Sequence, residues 1–332
     1  MILTVGALTR SRRNLAKGIL ILLLLGILFF AALIARVAKL EWESEVAPLL
    51  GKLLVSTADA HVAGMTDVRI PFDGQPPLGA WYVAPRHGVV VIITHGSGTD
   101  RSSMLATVRL LTDAGIGALA FDWPGHGTTD GKIQWGQIYR NALSAAARWA
   151  NEQPGVDRAQ LGVIGNSYGG YIVAQVAATD TVFHRIALIG TPSDASEQTY
   201  AVYARYTRFG GWVAIKTDEI LGVSEPDTLK AVDMVARFAP RPLLIITGAR
   251  DPAVPTRMAD TLLAHARSPK RLLRMPLASH ADYANVDSAT YGGALREFFA
   301  PAFYPAAPRH TSAGLSDSAS GGRTRAVIPN PK

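Results

Sequence analysis

A serine framed by glycines, in Gly165-Asn166-Ser167-Tyr168-Gly169, is the position where residue types and spacing point to a nucleophile. A G-x-S-x-G pattern carries meaning only between a strand and a helix, where a cramped turn lifts the serine hydroxyl above the end of a sheet. Both flanks are present. Leu161-Gly162-Val163-Ile164 reads as a buried strand, and after Gly170 the residues Tyr171, Ala174, Val176, Ala177 and Ala178 recur at near-helical spacing. A serine hydroxyl is a poor nucleophile at neutral pH. It needs a base to take its proton and a third group to hold that base in the right tautomer.

The search is therefore for one histidine and one carboxylate at the ends of strands. Of the eight histidines, His95 and His126 lie in glycine turns before the serine, His184 leads into a strand, and His265 fits a helix. His61, His87 and His310 fall in connectors or the tail, which leaves His280, just after the last predicted strand. For the carboxylate, Asp251 follows a strand in Arg250-Asp251-Pro252, with Asp194 as the alternative. Asp251 is also placed to cap the helix predicted to begin near Thr256. The order Ser167, Asp251, His280 is the one used by folds built on a nucleophile elbow. Donors for an oxyanion are expected from the amide of Tyr168, opening the helix after the serine, and of Ser97, in the loop His95-Gly96-Ser97-Gly98. Gly96-Ser97-Gly98 also opens like a dinucleotide fingerprint, but Arg101 stands where the third glycine belongs.

The elements that must hold these residues alternate between apolar runs and helix-length segments. Strands are expected at 89–93, 116–121, 161–164, 186–189, 242–247 and 272–275, with helices at 103–114, 133–151, after 170, at 256–267 and at 291–299. Fully apolar strands alternating with helices imply a mostly parallel sheet covered on both faces. Two shorter runs, 67–72 and 78–83, flank the turn-rich Asp73-Gly74-Gln75-Pro76-Pro77 and read as an antiparallel hairpin. The polar residues singled out above fall at the carboxyl ends of the strands, where such sheets bind ligands.

Composition narrows the chemistry. The 332 residues contain no cysteine, which excludes a thiol nucleophile, thiolate zinc sites and a disulfide framework. The net charge of +7 is concentrated at the ends, with six basic against three acidic residues in 1–45 and four against one from Pro305 onward. The nearly neutral middle gives nucleic acid no footing. Residues 18–35 carry no charge and no proline, and at 1.5 Å per residue they reach roughly 27 Å, close to the hydrocarbon thickness of a bilayer. We read 1–17 as a basic segment, 18–38 as an uncleaved transmembrane anchor and 39–66 as a juxtamembrane connector. The basic excess before the span orients the amino terminus to the cytoplasm and the catalytic domain outside it. Residues 305–332, rich in Pro, Ala, Ser, Gly and Arg without periodicity, read as a disordered tail.

Taken in order, His95-Gly96-Ser97-Gly98, Asp122-Trp123-Pro124-Gly125-His126-Gly127, Gly165-Asn166-Ser167-Tyr168-Gly169-Gly170, Gly248 through Asp251, and His280 resemble the α/β-hydrolases. The branch they resemble includes monoacylglycerol lipase-like and serine aminopeptidase-like serine hydrolases. The resemblance covers residues 67–304. It implies that the first block is the oxyanion loop, the second a structural turn, and 191–240 a small helical cap. A serine at the elbow argues against the dehalogenases and epoxide hydrolases of that fold, which use a carboxylate there. The cap segment carries Tyr200, Tyr203, Tyr206, Phe209 and Trp212 at three-residue intervals, expected to wind round one helix ending at Gly210-Gly211, as core packing or as the wall of an acyl pocket. The expected function is hydrolysis of carboxylic esters of a small-molecule acyl substrate by Ser167, His280 and Asp251, with no metal or organic cofactor implied. Amide, peptide and thioester cleavage use the same parts, and a silent binding scaffold of the same fold is the alternative of another class.

Overall fold

The computed structural model describes residues 3–41, 55–131, 133, 136–204, 208–221 and 229–300. The tail, residues 42–54 of the connector and Tyr206 lie outside the described residues.

Among the described residues eight strands form one sheet: β1 (Thr66–Ile70), β2 (Leu78–Val83), β3 (Val90–Thr94), β4 (Gly117–Phe121), β5 (Leu161–Asn166), β6 (Arg185–Ile189), β7 (Leu243–Gly248) and β8 (Lys270–Met275). Their order is β1-β2-β4-β3-β5-β6-β7-β8. The hairpin β1–β2 is antiparallel and pairs antiparallel with β4, while every pairing from β4 to β8 is parallel. All carboxyl ends of β3 to β8 therefore share one edge.

Among the described residues ten α-helices accompany the sheet: α1 (Leu3–Glu41), α2 (Leu105–Asp113), α3 (Gln137–Asn151), α4 (Tyr168–Thr179), α5 (Ala195–Ala204), α6 (Arg208–Leu221), α7 (Ala231–Met234), α8 (Thr256–His265), α9 (Tyr283–Val286) and α10 (Ser288–Phe299). Successive strand residues point to opposite faces, and both faces are apolar. Val90 and Ile92 join a core with Leu143 of α3, Val173 of α4 and Leu262 of α8. Val91 and Ile93 join a second core with Leu111 of α2 and Leu295 of α10. This is why the strands read as unbroken apolar runs rather than alternating ones. The fold is that of an α/β-hydrolase: a mostly parallel sheet with helices on both faces.

Two expectations need correction. Helix α3 begins at Gln137 rather than at 133, because Gly136, with φ of 95°, turns the chain just before it. The aromatic residues of the cap do not wind round one helix. Tyr200 lies on α5, whereas Phe209 and Trp212 lie on α6, which runs through Gly210-Gly211 instead of ending there. The glycine serves packing: a β-carbon on Gly211 would meet the Tyr200 ring at 2.9 Å, so its absence lets α5 and α6 lie close together. The end of the connector, whose placement the sequence leaves open, packs on the domain, with Ala60 and Met65 buried in the second core and the Ala60 carbonyl accepting from the Arg109 guanidinium at 2.7 Å.

Helix α1 contains an exposed stretch, Asn14–Arg36, long and apolar enough to cross a membrane.

Candidate active site

Ser167 occupies the turn between β5 and α4 with φ of 52° and ψ of −125°, a region that residues bearing a side chain rarely enter. The backbone holds it there: the Ser167 amide donates to the Ile189 carbonyl at 2.8 Å, and its own carbonyl accepts from the Gly170 amide at 2.9 Å. Small residues make the turn possible. A β-carbon on Gly170 would sit 1.9 Å from Thr191 Oγ1, so strand, turn and helix could not close with anything larger. The strained conformation is typical of sites where the surrounding structure over-determines one residue.

From Ser167 a chain of hydrogen bonds runs across the sheet edge. His280 Nε2 lies 3.0 Å from Ser167 Oγ, and His280 Nδ1 lies 2.7 Å from Asp251 Oδ2. An ionised carboxylate only accepts, so Nδ1 carries the proton and Nε2 is left to accept from the serine hydroxyl. The side chain of Asp251 is fully buried, whereas that of His280 keeps 25% of its surface exposed. Asp251 Oδ1 accepts from the amides of Ala253 and Val254, both at 2.8 Å, which fixes the carboxylate plane. Asp251 thus both turns the chain before α8 and meets the imidazole, with a separate oxygen for each. Asp194, the alternative carboxylate, is engaged elsewhere: it accepts from the Ser196 amide at 2.9 Å at the start of α5 and pairs with Lys230 at 2.8 Å.

The loop after β3 passes directly beside the serine, since a β-carbon on Gly96 would come within 2.8 Å of Ser167 Cβ. Ser97 is the next residue of that loop. Tyr168 is the first residue of α4, where leading amides have no carbonyl within the helix and the dipole favours negative charge.

His95, set aside as a nucleophile partner in the sequence, proves to be a fastening for this loop, and the His126 ring lies 5.2 Å from its own. The Trp123 amide donates to His95 Nε2 at 3.2 Å, so Nδ1 is the protonated nitrogen and donates to the Gly96 carbonyl at 2.8 Å. The Trp123 indole donates in turn to the His95 carbonyl at 3.0 Å. Burial drives the pKa of His95 and of His126 down to about 4, so both are neutral near pH 7. Arg101, which broke the dinucleotide pattern, is buried beneath the same loop. Its guanidinium pairs with Asp122 and lies 5.0 Å over the Trp81 ring, and its amide donates to Asp122 Oδ1 at 2.8 Å. Desolvation raises the pKa of Asp122 while Arg101 opposes it. The motif Asp122-Trp123-Pro124-Gly125-His126-Gly127 therefore anchors the loop that carries Ser97.

Two neighbours of the site gave no signal in the sequence. Ala281, directly after His280, has φ of 64°, so both the serine and the residue following the imidazole sit on left-handed backbone. Tyr283 is buried beside Asp251, and burial together with that charge keeps its phenol well above the usual range and hence neutral. A positive φ in a residue other than glycine has no sequence signature, and a tyrosine on a short helix is unremarkable by composition.

The comparisons with known proteins agree with this architecture. Residues 102–290 match the model of the prolyl oligopeptidase family, Peptidase_S9. The uncharacterized protein Rv2307c of Mycobacterium tuberculosis is 24% identical over 247 residues, covering 74% of this chain and 82% of that protein. Among solved structures, the esterase Pf2001 of Pyrococcus furiosus superposes with a TM-score of 0.62 at 21% identity, covering 73% of this chain and 92% of that one. The α/β hydrolase GrgF of Penicillium sp. sh18 superposes at 0.58 with 18% identity, over 71% and 97% of the two chains. With the family model spanning more than half of its length, the chain belongs to the prolyl oligopeptidase family and is a serine hydrolase of the α/β-hydrolase fold.

Proposed function

We propose that this chain is a membrane-anchored hydrolase of carboxylic esters acting through an acyl-serine intermediate, with Ser167 as nucleophile, His280 as base and Asp251 orienting the imidazole. Ser167 Oγ attacks the ester carbonyl carbon as its proton passes to His280 Nε2. The Ser97 and Tyr168 amides hold the resulting oxyanion. Collapse breaks the bond to the alcohol, which leaves with the proton from His280, and water repeats the sequence to release the acid. The single observation that carries the reading is the unbroken relay from Asp251 Oδ2 through His280 to Ser167 Oγ, at 2.7 and 3.0 Å. General base assistance of this kind contributes about a hundredfold to ten-thousandfold, and an oxyanion donor about 3 kcal/mol.

The anchor, 18–38, holds a catalytic domain of residues 67–304 at the membrane, on the non-cytoplasmic side by the basic excess that precedes the span. Its support is the exposed apolar stretch of α1.

The test is covalent labelling. A fluorophosphonate should label the full chain and fail on Ser167→Ala; labelling that persists in the variant, or never occurs, removes Ser167 as nucleophile and brings back the silent scaffold. The family's name favours a second reading, cleavage of peptides, whereas the esterase Pf2001 favours esters. A series of esters of rising acyl length, set against prolyl arylamides, separates the two by kcat/KM.

A further inference from the structure

The apolar side chains of α1 from Leu15 to Phe29 stand exposed, but Phe30, Leu33 and Ile34, one face of the helix at i, i+3 and i+4, are half-buried. What covers them is the cap. Val213 of α6 is fully buried against these three side chains. The Phe30 ring meets Trp212 edge-on at 5.9 Å and Phe209 at 6.5 Å. Phe209 and Trp212 stack on each other at 5.8 Å, yet they remain 49% and 45% exposed. An exposed aromatic pair therefore continues the exposed apolar surface of the span.

The geometry fixes a depth. Arg36 closes the apolar stretch, and Phe30 lies six residues inside it, roughly 9 Å along the axis at 1.5 Å per residue. Helices that lie in the membrane boundary bury their apolar face about 5–10 Å, and tryptophan is enriched at that level. We infer that α6 is an interfacial helix whose Phe209 and Trp212 are seated in the headgroup and upper acyl region of the same bilayer that α1 crosses. The inference rests on the anchor reading above and extends it from a tether to an oriented surface. The insertion leaves the sheet after β6, at the carboxyl edge where β5 presents Ser167. Seating α6 in lipid holds that edge toward the membrane, so a substrate resident in the bilayer can be drawn on without release into water.

The chain has no cysteine, so single substitutions give unique labelling sites. F209C and W212C, each carrying a nitroxide, are reconstituted as full chains in vesicles of mixed neutral and anionic phospholipid, with Glu152→Cys as a control. Glu152 is exposed just after α3, at the opposite edge of the sheet. Power saturation should show accessibility to oxygen exceeding that to a water-soluble nickel complex at 209 and 212, and the reverse at 152. Water-like accessibility at 209 and 212 in chains that sediment with the vesicles overturns the interfacial helix and leaves the anchor standing. Chains that do not sediment with the vesicles overturn both. Fluorophosphonate labelling of the same samples reports on the hydrolase reading independently.

Discussion

The two oxygens of the Asp251 carboxylate have separate partners, and a single-atom change distinguishes them. In Asp251→Asn the amide oxygen can still accept from Ala253 and Val254, while the new NH2 faces His280 Nδ1. Nδ1 must then accept, which moves the ring proton to Nε2 and leaves nothing to take the proton of Ser167. We expect kcat to fall by roughly ten-thousandfold with KM changed only a few-fold and the far-ultraviolet dichroism unchanged, as a wrong tautomer in a correct geometry should give. Steady-state kinetics on a soluble ester check it; a loss below tenfold would mean that the imidazole does not depend on this carboxylate. Tyr283, buried and neutral beside the same oxygen pair, offers no compensating negative charge.

The strand-turn-helix element from β5 to α4 holds its shape because Gly165, Gly169 and Gly170 leave room only for the close approach of neighbouring backbone and of the Thr94 and Thr191 hydroxyls. Gly170→Ala places a methyl 1.9 Å from Thr191 Oγ1 and 2.9 Å from the Gly165 carbonyl, so the helix must move off the strand or Thr191 must rotate. Overpacking of this kind costs about 1–3 kcal/mol. A urea midpoint lowered correspondingly, with partial recovery when Thr191→Ala is added, is the expected result; an unchanged midpoint would show that the turn has slack. The loop after β3 is secured differently, by the buried pair of Arg101 and Asp122 and by His95 clasped to Trp123. Element α6 is held from two sides, by α5 through Gly211 and by α1 through Val213.

For the molecule as a whole, the two buried histidines couple stability to pH. In the unfolded chain they take up protons near pH 6.5, whereas in the folded protein His95 and His126 stay neutral down to about pH 4 because burial penalises their charge. Between those values the unfolded state binds more protons. Their contribution to stability is therefore full above about pH 6.5 and declines as the pH falls toward 4, by roughly 3 kcal/mol for His95 alone, while the raised pKa of Asp122 acts in the opposite sense. Denaturant titrations at pH 7.5 and pH 4.5 should differ by that order; equal midpoints would contradict neutral burial.

The sheet, its helices and the nucleophile's turn were legible in the sequence because each is written locally. Apolar runs flanked by turn residues mark strands buried on both faces, and the glycines around Ser167 mark a turn with no room for side chains. The order of Ser167, Asp251 and His280 was legible too, as a pattern of strand ends. What no local signal carried was distance. Ser167 and His280 are 113 residues apart in the chain, and only the parallel stacking of β5, β6, β7 and β8 places both at one edge. Tertiary packing likewise decided that Asp194 caps a helix, that Arg101 neutralises Asp122, and that the cap's aromatic residues divide between two helices. It also brought α1 against α6, a contact between segments whose apolar patterns are equally satisfied by many partners. Periodicity tells a residue which way to face; what it meets there is settled by the rest of the chain.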